Sequence, residues 1–268
     1  LSLTTHGVAW AGSDGYKGQL FVSFFPQLIA GPIVLADRII PQFSEKKIFC
    51  FSWKNVCVAI TLFSIGLFKK VIIADTFSPW TALAFEAEHP LTMLEAWGGT
   101  LSYTIQLYFD FSGYSDMALG LASFFNVKLP MNFNSPYKAK SIIDFWRRWH
   151  MTLSAFLRDY LYIPLGGNRK GKARRYVNLM ATMLLGGLWH GAGWTFVIWG
   201  GLHGLYLTAN PFWRAHSPVQ LPAFLGWLLT FLLVVAAWVL FRSQSAGQPG
   251  CTLHGFGRLH CPVGPGDY

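Results

Sequence analysis

Between Tyr176 and Trp213 the chain runs for 38 residues without an Asp, Glu, Lys or Arg. So long an uncharged stretch belongs in a membrane, and it restricts the fold to one that can satisfy its backbone without water. In its middle stands Gly186-Gly187-Leu188-Trp189-His190-Gly191-Ala192-Gly193-Trp194. A polar side chain at such depth is costly and usually faces a cavity or a partner, so His190 is the first candidate for function. Imidazole, neutral near pH 7 and easily shifted, is well suited to moving protons there. The four glycines and two tryptophans around it suggest a wall opened for a ligand. The plainer alternative is a core histidine bonded to a neighbouring carbonyl.

The rest of the composition agrees with a membrane setting. Only 12% of the 268 residues are charged and 53% are hydrophobic, whereas a soluble domain is about 25% charged. The expectation is an all-α protein: a multi-pass transmembrane helical bundle with broken or re-entrant helices and one amphipathic interfacial helix. The net charge of +9 does not indicate nucleic-acid binding, because the basic residues sit in short clusters between apolar runs. That is the pattern of loops held on the cytoplasmic side of a membrane. Membrane lipid is then an expected partner and nucleic acid is not. Cys50 and Cys57 are read as buried thiols. Cys251, His254, His260 and Cys261 lack the paired spacing of a zinc site, and no metal is expected. The chain begins at Leu1 rather than Met and reads as a fragment of a longer protein.

Gln19 to Ala36 is free of charge but interrupted by Pro26, Gly31 and Pro32, which predicts a bent or re-entrant element. Asn55 to Phe68, then Lys69-Lys70, then Val71 to Ala74, reads as a single span with snorkelling lysines. Trp97 to Val127 is apolar apart from Asp110 and Asp116, which need partners or water at that depth. Ser141 is a plausible N-cap for a helix over 142–163. Its apolar stripe is Ile142, Trp146, Trp149, Leu153, Phe156 and Tyr160, opposite Asp144, Arg147, Arg148, Ser154, Arg158 and Asp159. His150 falls on the inward side, roughly 80° from the stripe centre at 100° per residue.

Gly166 to Arg175, GGNRKGKARR, has five basic residues and no acid, which predicts a cytoplasmic loop. It also looks like a phosphate-binding patch, though solvated charge facing lipid headgroups is the commoner explanation. A helix from Arg175 reaches His190 after about 22 Å. His203 is a third histidine in the same apolar region. Pro222 to Phe241 is the simplest span in the chain. The expected division is therefore a membrane domain over 1–243 and a Gly- and Pro-rich tail of low order over 244–268, possibly foreign or frameshifted.

Six motifs now stand in order: Phe25-Pro-Gln-Leu-Ile-Ala-Gly-Pro-Ile33, Tyr108 to Gly120, Asn132-Phe-Asn-Ser-Pro-Tyr137, Phe145-Trp-Arg-Arg-Trp-His150, Arg158 to Asn168, and Met183 to Ala192. Together they resemble the membrane-bound O-acyltransferases, in particular the bacterial alginate O-acetylase branch, over roughly Gly15 to Arg242. The resemblance implies a helical bundle around a tunnel, with His190 at its centre and His150 as the second site histidine. It implies no tightly bound cofactor and acetyl-CoA as acyl donor and co-substrate. It further implies transfer towards hydroxyls of an exported polysaccharide such as alginate, with a periplasmic acetyltransferase or other polysaccharide-modification proteins as partners. Several N-terminal membrane segments of that family are absent, and the tail after Ser243 lacks its continuation.

Acyl transfer to a hydroxyl needs a base within hydrogen-bond reach of the attacking O–H, directly or through one water. His190 is the candidate base. Trp189, Trp194 or backbone N–H groups of the Gly-rich run could face the developing oxyanion. His150 could orient the acceptor, protonate the leaving thiolate or bind the donor. No Ser-His-Asp triad is visible. D-alanyl transfer to teichoic acid is the neighbouring reaction. Outside the enzyme class stand a membrane transporter, which broken helices with polar residues also suit, and a non-catalytic scaffold of an export complex.

Overall fold

The computed structural model describes residues 15–27, 31–87, 89–169, 171–216, 221–243, 252–254 and 258–260. From Gly15 to Ser243 the described structure is helical. Among the described residues two helices are long and apolar enough to cross a membrane: Trp53–Phe85, with mean hydropathy 2.1, and Ala223–Arg242, with 2.5. The chain divides into two compact units, Leu1–Ile72 with Phe109–Asn132, and Ile73–Tyr108 with Phe133–Tyr268.

In the first unit, α1 (Gly15–Ser23) gives way to a 3-10 turn at Phe25–Gln27, then α2 (Ala36–Phe43) and a second 3-10 turn at Lys46–Phe49. The prolines break this stretch as expected, since each removes a backbone donor and fixes φ. Ile39, Phe43, Ala122 and Val127 form a core on which Phe21, Phe24, Val34, Ile48 and Leu129 pack. Helix α3 (Trp53–Leu67) starts where the Ser52 hydroxyl accepts from the Asn55 backbone N–H. It passes through a π-helical turn, Phe68–Ala74, into α4 (Asp75–Phe85), so the predicted span is extended at both ends.

Helix α5 (Met93–Phe124) is 32 residues long. It opens with Thr92 and Glu95 satisfying each other's backbone N–H, at 2.8 Å and 3.3 Å, a reciprocal cap. In the first unit it crosses α3 at close range. A Cβ on Gly66 would come within 2.5 Å of the Gly113 carbonyl oxygen, and one on Gly120 within 2.8 Å of that of Ala59. Small residues at such a crossing let two backbones approach and gain van der Waals contact where lipid offers no hydrophobic driving force.

This crossing brings the two acids of α5 to their partners. Lys69 Nζ lies 2.5 Å from Asp116 and Lys70 Nζ lies 2.8 Å from Asp110. The lysines read as snorkelling are thus the partners that the two carboxylates of the apolar run required, both presented by the π turn.

Cys50 and Cys57 are exposed free thiols, not the buried ones expected. The span that begins at Trp53 is only 11% buried within its most apolar window. An apolar sequence there marks an outward face rather than a protein core, and Cys57 lies on it. Most of the tail lies outside the described residues. Its described parts are two short strands, Thr252–His254 and Arg258–His260, paired antiparallel. Their Thr and Leu residues favour extended backbone, and this ribbon is the departure from an all-helical fold.

Candidate active site

The second unit is organised by a helical hairpin. The uncharged run from Tyr176 to Trp213 folds as α8 (Gly171–His190) and α9 (Trp194–His216). Gly191, Ala192 and Gly193 make the bend between them. The helices touch at their glycines: a Cβ on Gly187 would meet the Phe196 carbonyl oxygen at 2.3 Å, and one on Gly200 would meet that of Met183 at 2.3 Å. Leu157 packs against Gly186 from the neighbouring segment. His190 is therefore the last residue of α8, at the tip of the hairpin, rather than a mid-helix residue. The predicted loop at Gly166–Arg175 is half helical, because α8 already begins at Gly171, whose φ of +86° suits glycine.

The second departure from expectation concerns 142–163. Three pieces replace one amphipathic helix: α6 (Ile142–Trp146), α7 (Met151–Leu157) and a π turn over Arg158–Tyr162. Ser141 does cap α6, its hydroxyl accepting from the Asp144 N–H at 3.1 Å. The break falls at His150, which holds φ +42° and ψ +55°. Left-handed backbone is uncommon for any residue but glycine and is tolerated where surrounding contacts over-determine it. Here the Asn132–Tyr137 motif supplies them. Asn134 donates its backbone N–H to the Arg148 carbonyl at 2.9 Å. Arg148 is tied to Asp144 at 2.8 Å. Phe133 and Tyr137 pack their rings on Trp149. Ile142, Trp146, Trp149 and Leu153 of the predicted stripe are buried, and His150 points inward at 5% exposed. The burial pattern survives while the helix does not, because periodicity reports the face a residue occupies and is blind to a single αL residue.

The segment that carries His150 and the ring of His190, 40 residues apart in sequence, are joined by a chain of aromatic rings, Trp149, Trp238 and Trp199. The imidazole of His190 has ring neighbours on several sides: Trp189 at 5.0 Å, Phe241 at 5.2 Å, Trp199 at 5.3 Å and Phe196 at 6.5 Å. Phe241 comes from α10 (Ala223–Arg242), whose Trp238 packs on Trp149 at 4.8 Å, the rings tilted by 48°, and so reaches the residue before His150. The wall around the half-buried ring is aromatic on these sides. Such a site can hold a neutral imidazole against an attacking hydroxyl and exclude bulk water.

Of the tryptophans proposed to face the oxyanion, Trp189 and Trp194 are 59% and 72% exposed. The indole nearest His190 from inside is Trp199, at 2% exposed, which reasoning from the sequence passed over. Its spacing of four from His203 on one helix was the available signal. Among the described residues there is no cluster of three or more His, Cys, Asp or Glu that could hold a metal.

The sequence matches the membrane-bound O-acyltransferase family, MBOAT, over residues 19–245. It is 53% identical over 232 residues to the peptidoglycan O-acetyltransferase of Helicobacter pylori, covering 84% of this chain and 44% of that protein. It is 48% identical over 225 residues to the probable alginate O-acetylase AlgI of Azotobacter vinelandii, again 84% of this chain and 44% of that one. A more distant relative is the teichoic acid D-alanyltransferase of Bacillus subtilis, 31% identical over 210 residues, 72% of this chain and 51% of that protein. The chain thus spans about half the length of the curated relatives it matches. Matched by that family over residues 19–245, the chain belongs to the membrane-bound O-acyltransferase family.

Proposed function

We propose that the chain is the histidine-bearing part of a membrane O-acetyltransferase, which moves an acetyl group from a thioester donor to a hydroxyl of an exported polysaccharide. One observation carries the reading. Two motifs distant in sequence meet through one set of rings: Trp149, the residue before the left-handed His150, packs on Trp238, which packs in turn on Trp199 and Phe241 beside His190. His190 takes the proton from the attacking hydroxyl, the acyl carbon–sulfur bond breaks, and the thiolate leaves to be protonated. In this reading His150 orients the acceptor or supplies that proton. No tightly bound cofactor is called for, with acetyl-CoA as the donor spent in each turnover.

The acceptor follows from the relatives' printed names, which are polysaccharide O-acetylases at 46–53% identity and D-alanyltransferases near 30%. Membranes carrying the whole protein, given acetyl-labelled thioester and polysaccharide, should form a label that alkaline hydroxylamine releases from the polymer. Label incorporated only from a D-alanyl thioester would shift the assignment to the teichoic-acid branch.

The setting is the inner membrane in several passes, with a periplasmic acetyltransferase or other polysaccharide-modification protein as the receiving partner. Lys172 and Arg174, exposed on the first turn of α8, face the cytoplasm in this arrangement. A cysteine at Lys172 then reacts only with a membrane-permeant reagent. Reaction with an impermeant one in intact cells would invert the orientation.

A further inference from the structure

His203 is fully buried on α9, yet it is neither of the histidines assigned to the reaction. Its Nδ1 accepts the indole N–H of Trp146 at 3.3 Å. An indole nitrogen can only donate, so Nδ1 carries no hydrogen and the neutral ring holds its proton on Nε2. The ring is gripped on several sides. It lies parallel to Phe145 at 6.3 Å, and meets Trp199 at 4.8 Å and Trp146 at 5.2 Å edge to face.

Two of these neighbours belong to the surroundings of the site histidines, Trp146 by its place in the chain and Trp199 by ring contact. Trp146 ends α6, four residues before His150 and its left-handed break. Trp199 stands edge to face on His190, one helical turn before His203 on the same face of α9. A side chain that bonds the first support and packs on the second fixes the spacing between both imidazoles.

We propose that His203 is a positioning residue for acyl transfer, acting through the Trp146 indole and the Trp199 ring to hold His150 and His190 in register. The proposal rests on the acyl-transfer reading of the site. Reacting groups displaced by about 1 Å can lose about 10²-fold in rate, so the loss belongs in kcat rather than in KM.

The test uses the whole protein in detergent with labelled acetyl donor and a hydroxyl acceptor. His203→Ala and Trp146→Phe should each lower kcat by about 10²-fold at unchanged KM, and the double variant should be no slower than either. His203→Asn places an amide oxygen where Nδ1 stood and should recover most of the rate. His203→Gln, whose amide reaches the Nε2 position instead, should not. Rescue by Gln rather than Asn, additive losses, or a raised KM at unchanged kcat would each overturn the proposal. Should His203→Ala fail to accumulate, the Asn and Gln variants decide the question at matched abundance.

A second readout does not depend on turnover. The ultraviolet resonance Raman indole band of Trp146, taken as wild type minus Trp146→Phe, should shift in His203→Gln and stay in His203→Asn. No shift would overturn the proposal. A wild type that transfers no acetyl under conditions where that band is normal would instead sink the acyl-transfer reading itself.

Discussion

His190→Ala in the whole protein lowers acetyl transfer by about 10²- to 10⁴-fold, the usual share of a positioned general base, and leaves membrane abundance unchanged. Abundance is spared because the ring is half-buried at the end of α8, not locked in the core as His203 is. Its removal takes away four ring contacts but leaves the glycine-lined crossing of α8 and α9 untouched. Comparison of labelled acetyl transferred per amount of purified protein separates chemistry from yield. Near-normal transfer by a well-folded variant would remove His190 as the base.

The hairpin itself is more fragile than the site it carries. Gly187→Ala places a methyl carbon 2.3 Å from the Phe196 carbonyl oxygen and 3.1 Å from Gly200 Cα, both backbone. Backbone cannot yield as a side-chain end can, so α8 and α9 must part, at about 1–3 kcal/mol for an overpacked contact. Gly98→Ala is the matched control, since nothing lies within 4 Å of its Cβ position. There the gain in helix propensity should be neutral to favourable by up to about 1 kcal/mol. Thermal melts of the two variants in detergent, against wild type, should move in opposite directions or differ by that margin. Equal melts would mean that the two helices do not cross at Gly187.

What the sequence shows by itself is where polar groups sit in apolar surroundings. His190 was legible because no charge accompanies it for many residues, and His150 because it falls beside the stripe of Trp146 and Trp149. Ser141 was legible as a cap and Pro222 to Phe241 as a span, both being local properties. Contacts between distant segments were not legible. Lys69 and Lys70 look like interfacial charges until α5 brings Asp116 and Asp110 to them. The αL turn at His150 leaves no trace in hydrophobic period, since the residues on either side keep the same face buried. Trp199 is one tryptophan among 12, and its place beside His190 comes from the bend at Gly191–Gly193. The thiol of Cys57 was misplaced because an apolar helix in a membrane protein can turn its apolar face outward, where in water it would turn it in.

The claim that these residues form an acyl-transfer centre is tested most directly by following the thioester. Purified whole protein, with acetyl-CoA and a hydroxyl acceptor, should consume the thioester at a rate that falls as pH drops through the imidazole range, because only the neutral ring accepts a proton. His190→Ala should lower that consumption by about 10²- to 10⁴-fold and remove its dependence on pH through this range. Solute accumulating in sealed vesicles while the thioester stays intact, with a competent acceptor present, would contradict the account and make the chain part of a transporter.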